Sequence, residues 1–357
     1  MKKVLSLVLA LAMLLMGSVA LAEELALITD IGTIDDKSFN QGSWEGLVMF
    51  AEAHGISHKY YQPAEQGNDA YLDSIQLAVE NGARVIVTPG FLFEVPIFFA
   101  QDMYPETHFV LVDGVPNDGD WANGPEFRTE PNVVGILYAE EQSGFLAGYA
   151  AVKEGYTKLG FMGGMAVPAV VRFGIGFVQG AEYAALEMGV DEVTVNYHYT
   201  GGFAATPEAQ TLAASWYNDG IEVIFACGGA VGNSVMAAAE AAGDKWVIGV
   251  DVDQSAESET VITSAMKGLR ESVYQAIEAY YEGEFPGGQT WVLAADRDGV
   301  GLPMATSRFS TFSQADYDAI FAELVAGNVD ILTDGDLNNN LGSPDFELSV
   351  VTYTVIQ

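Results

Sequence analysis

The chain has 357 residues, half of them hydrophobic, and carries 49 acidic against 14 basic side chains for a formal charge of −35. That length and apolar content are enough for about two domains with large cores. A surface so acidic repels nucleic-acid backbones and anionic lipid, so nucleic acid is not an expected partner.

Met1-Lys2-Lys3 is a cationic head, and Val4 to Met16 is almost wholly apolar. Small residues follow and end in Ala20-Leu21-Ala22, before Glu23-Glu24. This is a signal-peptide pattern, too short to span a bilayer, with cleavage expected after Ala22. Residues 1–22 are set aside, and losing Lys2 and Lys3 takes the charge from −35 to about −37. The mature chain has no second stretch of about 18 apolar residues and is expected to be exported and soluble.

Strand and helix signals then alternate. Leu25–Asp30 is an apolar run ending in a polar turn, and a helical stretch runs from about Asn40 to Ala53. Val85–Thr88, Phe109–Asp113 and Val133–Leu137 repeat the strand theme. After a helix around Glu141–Lys153, a second set comprises Lys158–Met162, Val193–Tyr199, Val223–Cys227, Trp246–Val252 and Val261–Met266. Gly268 to Tyr281 is again helical in period. Short apolar runs separated by helix-length segments read as buried parallel strands in βαβ units. The expected architecture is α/β with two Rossmann-like lobes, a hinge near 137–141 and 265–269, and a cleft between the lobes. The first lobe is expected over residues 23–139 plus about 267–310, and the second over 140–266 plus about 311–357.

Ligands of open α/β sheets bind beyond the carboxyl ends of the strands. Here those ends carry Asp30, Gly90, Asp113, Gly163-Gly164, Gly228-Gly229 and Asp251. Glycine permits close backbone approach and aspartate supplies fixed acceptors, although both residues also end strands for purely local reasons. Cys227, the only cysteine, cannot form an internal disulfide and reads as a small core hydrophobe. No zinc-protease, nucleophile-elbow or phosphate-loop motif occurs, and the four histidines are scattered.

From Ile28-Thr29-Asp30 through Asp35-Asp36-Lys37-Ser38-Phe39-Asn40-Gln41 the chain resembles the basic membrane protein family. These are purine-nucleoside-binding proteins that serve ABC importers. The resemblance continues through Phe145-Leu146-Ala147-Gly148, Pro168 to Phe173 with Gly176 and Gly180, Gly249-Val250-Asp251-Val252-Asp253-Gln254, Thr263 to Lys267, and Asp298 to Gly301. It implies a type I periplasmic-binding-protein fold that encloses a nucleoside, an ABC permease as partner, no cofactor, no metal and no catalysis. A monomer is expected. By the same resemblance, Phe39 and Phe203 would clamp the base from opposite lobes, and Asp30, Asp113 and Asn40 would meet its polar edges. Asp251 and Lys267 would hold the ribose, and Gly229 would add a backbone N–H. Base stacking of this kind contributes on the order of 1–3 kcal/mol. Read without the resemblance, Phe39 and Phe203 are equally core aromatics, Arg172 pairs with an acid between lobes or touches ligand, and Asp35 and Asp36 are a helix cap and a first-turn acid.

Two departures stand out. Family members carry a lipidated cysteine at the mature N-terminus, whereas Cys227 is the only cysteine here. The loop Ala204-Ala205-Thr206-Pro207 lacks the acid that commonly precedes the proline. Three other functions remain open on sequence. They are a sugar or other small polar ligand, a sensor or surface-interaction module, and a nucleoside hydrolase using Asp30, Asp35 and Asp36. Asp334, Asp336, Asn338, Asn340 and Asp345 roughly follow calcium-loop spacing, but Asn339 replaces the turn glycine and a solvated turn is expected.

Overall fold

In the computed structural model, which describes residues 24–338 and 342–356, strands and helices alternate along two sheets. The expected signal peptide lies outside the described residues, as do Asn339 and Asn340. The first sheet is built from β1 (Leu25–Ile28), β2 (His58–Tyr61), β3 (Val85–Pro89), β4 (His108–Val112) and β5 (Val133–Tyr138), with β11 (Gln289–Leu293) added later. Its order is β11-β5-β4-β3-β1-β2, and every pairing is parallel. The helices of this lobe are α1 (Phe39–His54), α2 (Asn68–Glu80), α3 (Glu94–Met103) and, from later in the chain, α8 (Leu269–Glu282), which packs against α1.

The second sheet holds β6 (Lys158–Gly163), β7 (Val193–Tyr199), β8 (Val223–Cys227), β9 (Trp246–Asp251), β10 (Val261–Lys267), β12 (Val300–Gly301) and β13 (Val351–Val355). Its order is β12-β10-β9-β8-β6-β7-β13, parallel except for the antiparallel β10–β12 pair. Its helices are α4 (Glu140–Glu154), α5 (Pro168–Met188), α6 (Pro207–Asn218), α7 (Val231–Ala242) and α9 (Gln314–Val325).

The central strands β1, β3 and β8 are buried along their whole length, which is why they read as unbroken apolar runs. The edge strands β2, β11 and β13 are half polar and carry no such run. Helix α5 starts with Pro168 in its first turn, where a missing N–H costs nothing, and stops at Gly189 in the left-handed region (φ 68°). Helices α4 and α5 cross closely. Gly144 and Gly148 face the carbonyls of Phe173 and Phe177, while Gly176 and Gly180 face those of Glu141 and Phe145.

The chain passes between lobes three times, at 138–140, 267–269 and 294–299. The third passage comes earlier than the return expected near residue 311, because Val300–Gly301 already pairs with β10.

Candidate functional site

The sheets present the carboxyl ends of their strands to a shared region. Asp30 follows β1 and Asp113 follows β4, while Gly229 follows β8 and Asp251 and Lys267 end β9 and β10. Phe203 lies in the turn after β7, and Phe39 and Asn40 open α1. Asp113 (φ 57°) and Asp251 (φ 68°) both sit in the left-handed region. Aspartate tolerates that conformation better than most residues, at a strain of about 1–3 kcal/mol. Strain at two strand ends aims both carboxylates at one lysine.

That lysine, Lys267, is buried. Its ammonium bonds Asp113 of the opposite lobe and lies 3.5 Å from both Asp251 Oδ1 and Glu140 Oε1. It also sits 4.6 Å from the centroid of the Phe39 ring, with Tyr138 and Phe173 at 5.4 and 5.6 Å. Ser38 Oγ donates to Asp251 Oδ2 at 2.5 Å, and Gln254 Nε2 donates to the Lys37 carbonyl at 2.7 Å, so both lobes contribute to the cluster. Burial alone would deprotonate Lys267, but Asp113, Asp251 and Glu140 hold it charged, well above the usual lysine range. Burial pushes the Asp113 carboxyl up to about 7 even though Lys267 pulls it down. A second cation supports the cluster. Arg172 Nε donates to Glu140 Oε2 at 2.7 Å and Nη1 donates to Asp334 Oδ1 at 3.2 Å.

Beside this cluster, Asp30 Oδ1 accepts from Gly32 N–H at 2.8 Å and from Asn40 Nδ2 at 3.1 Å. Asn40 Nδ2 also donates to Asp36 Oδ2 at 3.0 Å. Asp36 accepts the N–H groups of Ser38, Asn40 and Gln41, so it caps α1 from outside the helix. Helix α1 begins at Phe39, so neither Asp35 nor Asp36 lies in its first turn. Asn40 Oδ1, Asp113 Oδ1, Glu140 Oε1, Thr29 Oγ1 and Tyr71 Oη are buried without a hydrogen-bond partner. Unpaired buried polar atoms are costly, and this set is rich in acceptors, which suits a ligand bearing several donors.

Phe203 packs on the second-lobe turns. A methyl group added at Gly164 would fall 2.6 Å from its ring carbons, and Gly229 (φ 56°) approaches its backbone. Phe39 packs under the Lys267 ammonium, whereas Phe203 packs against Gly164 and Gly229. Asp113, Asp251, Lys267 and Phe39 thus form one contact cluster, Asp30 and Asn40 a second, and Phe203 and Gly229 a third. Sequence reasoning missed Glu140, Ser38 and Tyr138. Glu140 follows an apolar strand with no local motif, and only its complete burial beside Arg172 and Lys267 marks it out.

In the acidic turn, Asp334 pairs with Arg172, Asp336 accepts from Thr333, and Asp345 accepts from Asn338 N–H. Among the described residues no group of side chains is arranged to hold a metal ion. Cys227 is buried at the end of β8, and burial pushes its thiol well above the usual range.

The raised carboxyls have a measurable consequence. Burial lifts Asp113 and Glu141 to about 7, and it also raises Asp30, Asp36 and Glu94. Between the unfolded values near 4 and a pH of about 7, these carboxyls hold more protons folded than unfolded, an excess partly offset by His108, whose imidazole pKa is lowered by burial. Stability must fall as pH rises through that window, and acidic self-repulsion adds to the fall. Calorimetry should show a thermal midpoint on the order of 5 °C higher at pH 5 than at pH 8. Glu141→Gln should flatten that slope; a midpoint higher at pH 8 would contradict the assignment.

Two α/β lobes joined by three passages, with charged and aromatic side chains gathered where the strand ends meet, define a bilobed solute-binding protein. Residues 23–325 match the family model for Bmp, the ABC transporter substrate-binding protein PnrA-like family, and the chain belongs to that family. It is 31% identical over 315 residues to the ABC transporter nucleoside-binding protein BmpA of Lactococcus lactis, covering 82% of this chain and 85% of that one. An ABC transporter solute-binding protein from Aeropyrum pernix superposes with a TM-score of 0.73 at 23% identity, over 88% of this chain and 94% of the other. One from Conexibacter woesei gives 0.69 at 25% identity, over 87% and 99%. The protein is an ABC transporter substrate-binding protein, a component that binds and does not catalyse. Membership implies a small-molecule ligand, a cognate permease and a secreted or periplasmic location.

Proposed function

We propose that the ligand is a purine nucleoside, captured between the lobes by hinge closure and delivered to the permease. The observation that carries this is the Lys267 ammonium, held against Phe39 between Asp113 of one lobe and Asp251 of the other. An ammonium beside a carboxylate suits the vicinal hydroxyls of a ribose, which need both a donor and an acceptor. Asp30, Asp113 and Asn40 offer groups for the edges of a base. Phe39 and Phe203 offer apolar faces from the two lobes, and Gly229 a backbone N–H. The L. lactis relative, described as nucleoside-binding, supports the same choice. Ligand bridging the lobes would shift the population toward the closed form, which the permease reads.

Export through cleavage after Ala22 would release a monomer.

Phe39→Ala and Asp251→Ala should each weaken nucleoside binding by about tenfold or more, through lost stacking and a lost charged hydrogen bond respectively. Titration calorimetry with adenosine, guanosine and inosine, with ribose and galactose as controls, tests this. Unchanged affinity in both variants would remove the site assignment. Release of free base during incubation would favour a hydrolase instead.

A further inference from the structure

The segment after α9 is tied down along α5 and reaches the Lys267 cluster from behind. Leu332 N–H donates to Gln179 Oε1 at 2.8 Å, and Gln179 Nε2 returns a bond to the Leu332 carbonyl at 3.0 Å. Buried Glu182 accepts the N–H groups of Ser349, Val350 and Val351 at 2.6, 3.1 and 2.8 Å, which feeds β13 onto β7. Tyr199 donates to the Gly342 carbonyl at 2.6 Å. Held in this way, Asp334 takes one arm of Arg172 while Glu140 takes another.

A guanidinium is a rigid planar fork, so fixing one arm restricts the other. Glu140, the first residue of α4, ends one interlobe passage, and Lys267, the last of β10, begins another. The chain of charges therefore runs Asp334, Arg172, Glu140, Lys267, Asp113, from the C-terminal segment into the opposite lobe.

We propose that Asp334 is a positioning residue for ligand capture: through Arg172 it fixes Glu140 and so the Lys267 ammonium, coupling the C-terminal segment to the binding site. The inference rests on reading the Lys267 cluster as the ligand site. Asp334 lies beyond residue 325, where the family match ends. Without its carboxylate, Arg172 keeps its bond to Glu140 but loses the second hold that fixes its plane. Glu140 then draws the ammonium away from Asp113 and Asp251, and the interlobe contact loosens. Coupling is reciprocal, so ligand should steady the segment by the factor through which the segment favours ligand.

The test uses the full mature chain in two arms. In ligand-free protein, Asp334→Asn should speed hydrogen exchange at residues 112–114 of the other lobe as well as at 331–337, and Asp334→Glu should restore the wild-type pattern. In calorimetry with inosine and adenosine, Asp334→Asn should bind about fivefold more weakly, with Asp334→Glu close to wild type. Inosine should slow exchange at 331–337 in the wild type. Faster exchange confined to 331–337, or affinity within twofold of wild type in Asp334→Asn, would overturn the coupling. If the wild type binds neither nucleoside, the proposed ligand fails on its own, and exchange at 112–114 still decides whether Asp334 acts across the lobes.

Discussion

Lys267→Met should lower the unfolding free energy by about 3–5 kcal/mol, measured by urea titration at pH 8. The substitution keeps most of the apolar stem and removes the charge. Asp113, Asp251 and Glu140 then remain together with Arg172 as the nearest cation, and Arg172 is bonded to Glu140 and Asp334. Breaking a buried ion group by removing one partner is costly mainly because the other charges stay behind. Two dependences follow from that cause. The loss should shrink as pH falls and the carboxyls take up protons, and Lys267→Met combined with Asp113→Asn should recover part of it. A loss below about 1 kcal/mol at pH 8 would mean that the cluster contributes little to stability.

Gly148→Val should be comparably severe, for a reason unrelated to charge. At the α4–α5 crossing each of four glycines faces a main-chain carbonyl of the other helix. A side chain there meets backbone, which cannot move aside as the tip of a flexible side chain can. Overpacking of this kind typically costs about 1–3 kcal/mol, and a collision with backbone belongs at or above the top of that range. Gly148→Val should therefore unfold at a much lower urea concentration or fail to accumulate. Gly202→Ala is the control, because an added methyl there meets nothing within 4 Å. Similar midpoints for the two variants would show that the helices can separate without loss. The crossing positions Glu140 and Arg172, which lie on these two helices, so the same glycines support the site.

The paired lobes were legible because buried parallel strands write themselves as apolar runs. Leu25–Ile28, Val85–Pro89 and Val223–Cys227 have no side chain that needs solvent, and the one hydroxyl among them, on Thr88, is buried and donates to the Val110 carbonyl. His58–Tyr61, Gln289–Leu293 and Val351–Val355 escaped notice because an edge strand shows one face to water and needs no such run. Asp30, Asp113, Gly229 and Asp251 could be picked out as candidates at strand ends, whereas Phe39, Asn40, Phe203 and Lys267 came from the family resemblance. The Lys267–Asp113 pair could not, since the two are 154 positions apart and meet only across the lobes, whereas the resemblance had already grouped Lys267 with Asp251. Glu140 was invisible for a different reason. Nothing in a sequence distinguishes a fully buried glutamate at a helix start from a solvated one that complements the helix dipole. The crossing back at 294–299 was likewise hidden, because a two-residue strand leaves no periodic trace.

The threefold passage of the chain between lobes also sets an order of assembly. During synthesis, residues 24–138 emerge first, yet β5 remains an open sheet edge until Gln289–Leu293 arrives, and α1 lacks its partner until Leu269–Glu282 has been made. The first sheet therefore cannot be completed until five of the second sheet's seven strands have been made. Such long-range closure slows folding and leaves an incomplete lobe with an unpaired edge. In a chain whose family membership implies a secreted or periplasmic location, such a delay would favour crossing the membrane before the fold closes.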